Sequence, residues 1–165
     1  MNIFLCALSI AAGGFAGFRL GGRYKPPERF YKDMAEFLDY AANAIAVYKT
    51  PLPTVAEEYR GASGEPFAAF LSGYREYLAD SDYGKEALKS RTEKIPLPEK
   101  EKTEIIGFFH MLGRYSEGEE TARIRKFAEY CNKQRQHYAE MDGKYGKMIL
   151  KLGFTAGAVL GILLL

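Results

Sequence analysis

A charge-free apolar segment at each end of the chain is the feature that most limits how this sequence can fold. Arg19 is the only charged side chain before Arg23, and no charged residue follows Lys151. Nearly all charges lie between the two segments, so the slightly negative mean hydropathy of −0.25 conceals two strongly apolar ends. Such ends have to be placed in a bilayer or in a protein core.

The first apolar segment is long enough to be a membrane anchor. Residues 3–18 carry no charge, and residues 3–22 form a 20-residue stretch if Arg19 extends to the headgroups. The small residues Ala11-Ala12-Gly13-Gly14 also fit a signal peptide. A signal peptide carries its positive charge before the apolar region, whereas the basic residues here follow it. We therefore predict a retained transmembrane helix.

The last apolar segment is shorter. Residues 152–165 number only 14, but counting from Met148 gives 18 residues and about 27 Å of helix, with Lys151 reaching the interface. The alternative is a buried C-terminal helix. Residues 162–165 are apolar on every helical face, which favours lipid over a small core. The sequence thus predicts a second transmembrane helix.

The basic residues beside these segments predict the topology. They follow the first segment and precede the second: Arg19, Arg23, Lys25, Arg29, Lys32, Lys144, Lys147 and Lys151. The positive-inside rule then places the middle of the chain in the cytoplasm. We predict a two-pass protein of the cell membrane, with transmembrane helices at 1–22 and 148–165 and a cytoplasmic domain at 23–147.

Glycines recur every four residues in both apolar segments, which predicts a packing surface. The rows are Gly13, Gly17 and Gly21 in the first segment and Gly153, Gly157 and Gly161 in the second. Small residues at this spacing allow two helices in a membrane to approach closely. Ordinary glycine usage in membrane helices is the alternative.

The middle of the chain has the periodicity of α-helices. Apolar residues recur in steps of three and four between Phe30 and Tyr48, and Thr50-Pro51-Leu52-Pro53 ends that helix. Four shorter helices are predicted at 54–59, 65–79, 83–94 and 99–112. No segment shows the alternation of a half-buried strand.

The last long helix has the clearest pattern. Ser116 and Glu119 have capping-box spacing, which predicts Ser116 as the helix cap. From Ile124 to Leu152 a heptad row of mostly apolar residues runs without a break. The predicted fold class is all-α: a membrane-anchored helical bundle, with a long antiparallel helix hairpin plus short helices. The alternative is a membrane-tethered helical adaptor of unrelated machinery, whose heptad row binds a partner helix.

The residues that carry chemistry are few. His110 and His137 lack metal-binding spacing, and there is no phosphate-binding loop. Cys6 and Cys131 are interpreted as packing residues, and acidic pairs such as Glu119-Glu120 as solvated helix starts. With 23 basic and 21 acidic residues, nothing demands a nucleic-acid partner. We predict no catalytic, cofactor-binding or metal-binding residues, and no enzyme.

Three motifs resemble the stage III sporulation protein AB family of endospore-forming bacteria. They are Thr50-Pro51-Leu52-Pro53, the stretch from Leu112 to Ser116, and the end of the chain with Gly153 and Gly157. Ser116 and Glu120 differ from the Asp and Gln expected in typical members. The resemblance implies a helical domain similar to the platform proteins of type II secretion and type IV pilus machines. It also implies a place in the channel complex between mother cell and forespore. The implied partners are a secretion-type ATPase and the other membrane proteins of that complex, with contact to membrane lipid. Self-association is a further possibility.

Overall fold

The computed structural model describes residues 8, 11–15, 17, 19, 22–61, 64–80, 84–93 and 95–163. Every regular element in these ranges is helical, and the described residues before 20 are helical too. After a 3-10 turn at Gly22–Tyr24 come α1 Lys25–Tyr48, α2 Leu52–Glu58, α3 Glu65–Ala79, α4 Lys85–Arg91, α5 Glu99–Met111, α6 Glu117–Met141, a π-helical turn Asp142–Gly146 and α7 Lys147–Leu163. The all-α prediction is confirmed for this part of the chain.

The prediction of a transmembrane helix at each end is wrong. In the part of the chain that the structure describes, no helix combines the length and the apolarity needed to cross a membrane. Helix α7 has 17 residues, which is about 26 Å at 1.5 Å per residue, and Lys147 and Lys151 lie within it. Much of the first predicted span, residues 1–22, lies outside the described residues. The predicted two-pass localisation in the cell membrane is wrong for the same reason, since it required both spans.

The chain divides into two compact units. The terminal unit comprises residues 1–28 and 136–165, and the central unit comprises residues 29–135. In the terminal unit, the 3-10 turn Gly22–Tyr24 packs against the π-helical turn Asp142–Gly146. The domain boundaries at 22/23 and 147/148 remain a prediction.

The long helices of the central unit pack antiparallel, as the hairpin prediction requires. The Cys131 thiol of α6 donates a hydrogen bond to the Met34 sulfur of α1 at 3.4 Å. Lys49, just beyond the other end of α1, forms an ion pair with Glu117 at the start of α6. Ile124 and Cys131 are fully buried, so this part of the heptad row faces the protein's own core.

Aromatic rings from several helices fill that core. Phe37 of α1 lies 5.9 Å from Phe67 of α3 and 6.2 Å from Phe109 of α5, between ring centroids. Phe109 in turn meets Phe70 and Tyr74 edge-on, at 4.8 Å each. Edge-to-face contacts at this distance add to the free energy gained by burial. The short helices therefore position rings that the two long helices alone could not supply.

Prolines set the helix starts. Pro51 precedes α2 and Pro98 precedes α5, each in an extended conformation that a following helix accepts. Helix α3 has Pro66 in its first turn and spans the predicted residues 65–79. Helix α4 lies within the predicted 83–94 but is shorter.

Candidate interaction site

Two loops of the central unit meet beside the start of α6. The first, residues 49–51, connects α1 to α2, and the second, residues 112–116, connects α5 to α6. Leu52, which follows the first loop, lies beside Gly113 of the second loop. A Cβ placed on Gly113 would lie 3.7 Å from a Leu52 methyl carbon. The structure thus brings together two of the three motifs that carry the family resemblance.

Lys49, the first residue after α1, has a left-handed backbone conformation. Its φ is +56°, the left-handed region that a non-glycine residue rarely adopts. The next backbone N–H, of Thr50, donates to the Ala44 carbonyl at 3.2 Å. A left-handed residue normally costs an L-amino acid about 1–2 kcal/mol. Helices commonly end in a left-handed residue at this position, so the strain belongs to the end of α1.

The second loop turns at Gly113 and is fixed by a buried acid. Gly113 has φ +83°, and its N–H donates to Oε1 of Glu120 at 2.8 Å. Glu120 lies in the first turn of α6 and is only 4% exposed. A carboxylate that accepts a backbone N–H forms a charge-assisted hydrogen bond. Glu120 therefore holds the loop in place.

A cavity of about 180 Å³ lies between the loops. Its walls comprise Ile45, Lys49, Thr50, Pro51, Leu52, Gly113, Tyr115, Glu117 and Glu120. The second oxygen of Glu120, Oε2, is buried and has no hydrogen-bond partner among the described residues. A buried acceptor left unpaired costs about 1–3 kcal/mol, and more when it is charged. The unpaired oxygen is the feature of the cavity that most needs an explanation.

The rim of the cavity is charged and aromatic. Lys49 and Glu117 pair across the two loops, each with more than half of its side chain exposed. An exposed pair of this kind contributes only about 0.2–1 kcal/mol. Tyr115 supports the guanidinium of Arg123, whose central carbon lies 4.0 Å from the ring centroid. The rim therefore exposes polar groups whose ion pair contributes little to stability.

The interpretation of Glu119-Glu120 as a solvated pair is wrong for Glu120. Glu120 stands four residues before Ile124, so it extends the buried row of α6 by one turn. That register could have revealed its burial from the sequence. The attraction of the helix start for acidic residues concealed the signal.

Ser116 lies directly before α6, as the predicted cap should. Its hydroxyl donates to Oε2 of Glu119 at 3.0 Å, and its carbonyl accepts the Glu120 N–H at 2.8 Å. The described bond thus joins two side chains, whereas a capping box joins each side chain to a backbone N–H.

The structure brings four of the six predicted packing glycines together in the terminal unit. A Cβ placed on Gly13 would lie 2.6 Å from the Gly153 carbonyl oxygen and 2.9 Å from the Gly157 Cα. A Cβ on Gly153 would lie 2.6 Å from the Gly13 carbonyl oxygen and 2.9 Å from the Gly17 Cα. Gly161 lies in α7, and Gly21 lies outside the described residues. Only residues without side chains allow backbones this close.

The histidines and cysteines have separate surroundings. His110 contacts Tyr77 and Arg114 in the central unit, while His137 stacks edge-on against Tyr138 in the terminal unit. Burial raises the pKa of the Cys131 thiol, which suits a packing residue. Cys6 lies outside the described residues. Within the described ranges, no three His, Cys, Asp or Glu residues group closely enough to hold a metal ion.

Comparison with known proteins identifies the family. The sequence model of the family described as Stage III sporulation protein AB matches residues 2–165. The match covers nearly the whole chain, so the chain belongs to this family, as the three motifs predicted. No curated protein and no solved structure matches it.

Proposed function

We propose that this member of the stage III sporulation protein AB family is a non-enzymatic platform subunit of the secretion-like channel complex between mother cell and forespore. Its role there is to couple a cytoplasmic secretion-type ATPase to the membrane proteins of the complex. Family membership supports the role in stage III of sporulation. The observation that carries the rest is the convergence of two family motifs on one cavity whose buried acid lacks a partner.

The central unit has the properties of a rigid coupling element. Its largest fully buried side chains are mainly aromatic, and their rings contact one another from α1, α3 and α5. Close-packed interiors of this kind have low compressibility and transmit displacement. A force applied at the two loops would therefore move the central unit as one body.

The terminal unit offers a different kind of surface. Six apolar side chains of α7 are about half exposed or more: Met148, Leu152, Phe154, Val159, Leu160 and Ile162. Exposed apolar clusters of this kind mark interaction sites. We assign this surface to contacts with apolar helices of the other subunits.

The alternative function, a tethered adaptor that binds a partner helix through its heptad row, has less support. That function requires an accessible row, yet Ile124 and Cys131 are fully buried and Tyr138 is nearly so. A partner helix could reach Ile124 and Cys131 only if the central unit opened.

A matched pair of tyrosine variants tests the platform function. Tyr115 lines the cavity and is partly buried, and Tyr40 is a more exposed tyrosine whose ring contacts Tyr59 elsewhere. We expect Tyr115→Ala to lower both the ATPase recovered with the tagged full-length chain and the sporulation efficiency at least tenfold. Tyr40→Ala should leave both near normal. The proposal is contradicted if no ATPase is recovered with the unmodified chain. It is also contradicted if the two variants behave alike.

A further inference from the structure

We infer that the groove between α5 and α6 is a docking site for an acidic amphipathic helix of a partner protein. The groove has a volume of about 680 Å³ and is lined by side chains of these two helices. None of them lines the cavity between the two loops. The inference therefore goes beyond the proposed function and concerns a second surface of the central unit.

Three aromatic rings form the apolar part of the groove. Phe127 of α6 stacks on Phe108 of α5 at 3.8 Å between centroids, with 8° between the ring planes. The ring of Tyr130 lies 5.3 Å from that of Phe127. All three line the groove and remain partly exposed, whereas Phe109, the next residue of α5, is buried. Large apolar side chains that stay accessible in one cluster are typical of an interaction site.

Contacts between the two helices form the groove before a partner arrives. The Tyr130 hydroxyl of α6 donates a hydrogen bond to Oε2 of Glu104 of α5 at 2.7 Å. Together with the stack of Phe108 on Phe127, this bond connects the two walls. A site that is already formed lowers the entropy lost on binding.

The charges along the groove favour an anionic partner. Three basic side chains line it against two acidic ones: Arg123, Lys126 and Lys133 against Glu104 and Glu129. Among the described residues, no ion pair engages any of these three cations, whereas Glu104 already accepts a hydrogen bond. A partner that supplies carboxylates would form ion pairs here without breaking any, and such complementarity steers association and fixes the register of binding.

The spacing of the cations fits a helix that lies along α6. Lys126 and Lys133 are seven residues apart, which is two turns of helix or about 10.5 Å. A partner helix beside α6 would place two carboxylates at the same spacing, with apolar side chains between them over the rings. Amphipathic helices bind apolar grooves in this way. Arg123, one turn before Lys126, has its guanidinium carbon 4.0 Å from the centroid of the Tyr115 ring, which limits its movement.

The test uses the purified full-length chain and a designed peptide. The peptide has about 18 residues, a length at which an isolated helix begins to form. It carries leucine in steps of three and four, glutamate on both sides of that row, alanine elsewhere and a fluorescein label. We expect fluorescence anisotropy to show saturable binding with a Kd on the order of 0.1 mM. Two further peptides, one with lysine for every glutamate and one with alanine for every leucine, should each bind at least tenfold more weakly.

Charge-reversal variants locate the peptide. Lys126→Glu combined with Lys133→Glu reverses two exposed cations of the groove and should weaken binding of the acidic peptide at least tenfold. Lys100→Glu combined with Arg125→Glu reverses two exposed cations of the same helices outside the groove and should bind like the unmodified chain. Phe127→Ala removes one ring of the groove and should weaken binding at least threefold.

Several results would overturn the inference. The first is no saturable binding of the acidic peptide. Equal binding of the glutamate and lysine peptides would show that charge does not select the partner, and equal binding by the two double variants would place the peptide elsewhere. If sedimentation shows a dimer that only the double variant at Lys126 and Lys133 dissociates, the groove binds a second copy instead. None of these measurements involves the ATPase, so the proposed function stands or falls separately.

Discussion

The two units of this protein use apolar residues in opposite ways. The central unit buries its large rings against one another, so that Phe30, Phe37 and Phe67 are fully enclosed. The terminal unit brings backbones together through glycines and leaves Phe154 and Ile162 exposed. One unit is stabilised by side-chain packing and the other by close backbone approach.

This difference indicates where each unit can bind. Since the central unit buries most of its large apolar side chains internally, its loops and charged side chains are left for recognition. The terminal unit has apolar side chains left over, which other apolar surfaces can cover. Substitutions in each unit should therefore have different consequences.

The largest effect is expected in the aromatic core. Phe37 is fully buried, and its ring contacts those of Tyr59, Phe67 and Phe109. Phe37→Ala should lower the free energy of unfolding by about 3–5 kcal/mol because it leaves a cavity in a close-packed site. Urea unfolding measures the change. Val47→Ala, at an exposed position of the same helix, should change it by less than about 0.5 kcal/mol.

Phe127→Ala sharpens this prediction within one unit. Phe127 is only half-buried, although its ring stacks on Phe108 at 3.8 Å between centroids. We expect a loss of about 1–2 kcal/mol, smaller than for Phe37, because less area returns to water. If both variants lost the same free energy of unfolding, the degree of burial would not determine how much each ring contributes to stability.

The helices of the central unit were predictable because their signals are local. Apolar steps of three and four fix the buried face of α1, and prolines fix the starts of α2 and α5. The apolar ends were misinterpreted because the prediction allowed basic residues such as Lys151 inside a span, whereas no described helix combines the length and the apolarity that a membrane crossing needs. Within the terminal unit, Gly153 packs against Gly13 and Gly17.

The glycine contact gives the next largest effect. Any side chain at Gly153 would meet the Gly13 carbonyl oxygen and the Gly17 Cα, both of which are backbone atoms that cannot move aside separately. Gly153→Leu should destabilise the terminal unit by about 1–3 kcal/mol through overpacking. Hydrogen exchange should then quicken in α7 while the amides of α3 keep their protection.

Val159→Leu is the control for that experiment. Val159 lies on the same helix, and about half of its side chain is exposed, so a larger apolar residue fits there without a clash. If the amide hydrogens of α7 exchanged at the same rates in Gly153→Leu and in Val159→Leu, the close backbone approach would not stabilise the terminal unit.

The candidate site could be predicted only in part. The motifs at Thr50-Pro51 and Gly113 are visible in the sequence, but their convergence depends on the packing of α1 against α6. Glu120 was hidden because an acid in the first turn of a helix has an ordinary explanation. Its register with Ile124 was a signal of burial, but its bond to the Gly113 N–H depends on how the loop folds, which the sequence does not specify.

A pair of glycine variants in the central unit should have effects of opposite sign. Gly113→Ala places a side chain at φ +83° and should cost about 1–2 kcal/mol. Gly107 lies inside α5, where an added Cβ would come no closer than 3.9 Å to any neighbour, the Lys85 ammonium. Gly107→Ala should therefore stabilise the protein by about 0.5–1 kcal/mol, through helix propensity. Thermal unfolding resolves both shifts, and a stabilising Gly113→Ala would contradict the left-handed conformation of Gly113.

The smallest expected effect is a pH dependence of stability that arises from His110. The Arg114 guanidinium can only donate, so Nε2 of His110 accepts from it at 3.4 Å and Nδ1 donates to the Tyr77 hydroxyl at 3.0 Å. Protonation at Nε2 would break the Arg114 contact and add a cation beside two others. Partial burial, and then the charges of Arg114 and Lys85, lower the pKa of His110 below its usual 6.5. As the pH falls through 6.5, the unfolded chain takes up this proton before the folded chain does, so stability decreases until the lower folded-state pKa is passed.

Comparing histidine variants isolates this contribution from the titration of carboxylates. Urea midpoints are measured at pH 7.5 and at pH 5.5 for the unmodified chain, for His110→Gln and for His137→Gln, an exposed control in the terminal unit. His110→Gln should lose less stability between the two pH values than the unmodified chain, because it has no imidazole to protonate. His137→Gln should follow the unmodified chain. If His110→Gln lost as much stability on acidification as the unmodified chain, the folded protein would not favour the neutral form of His110. Its contacts with Tyr77 and Arg114 would then not depend on its charge.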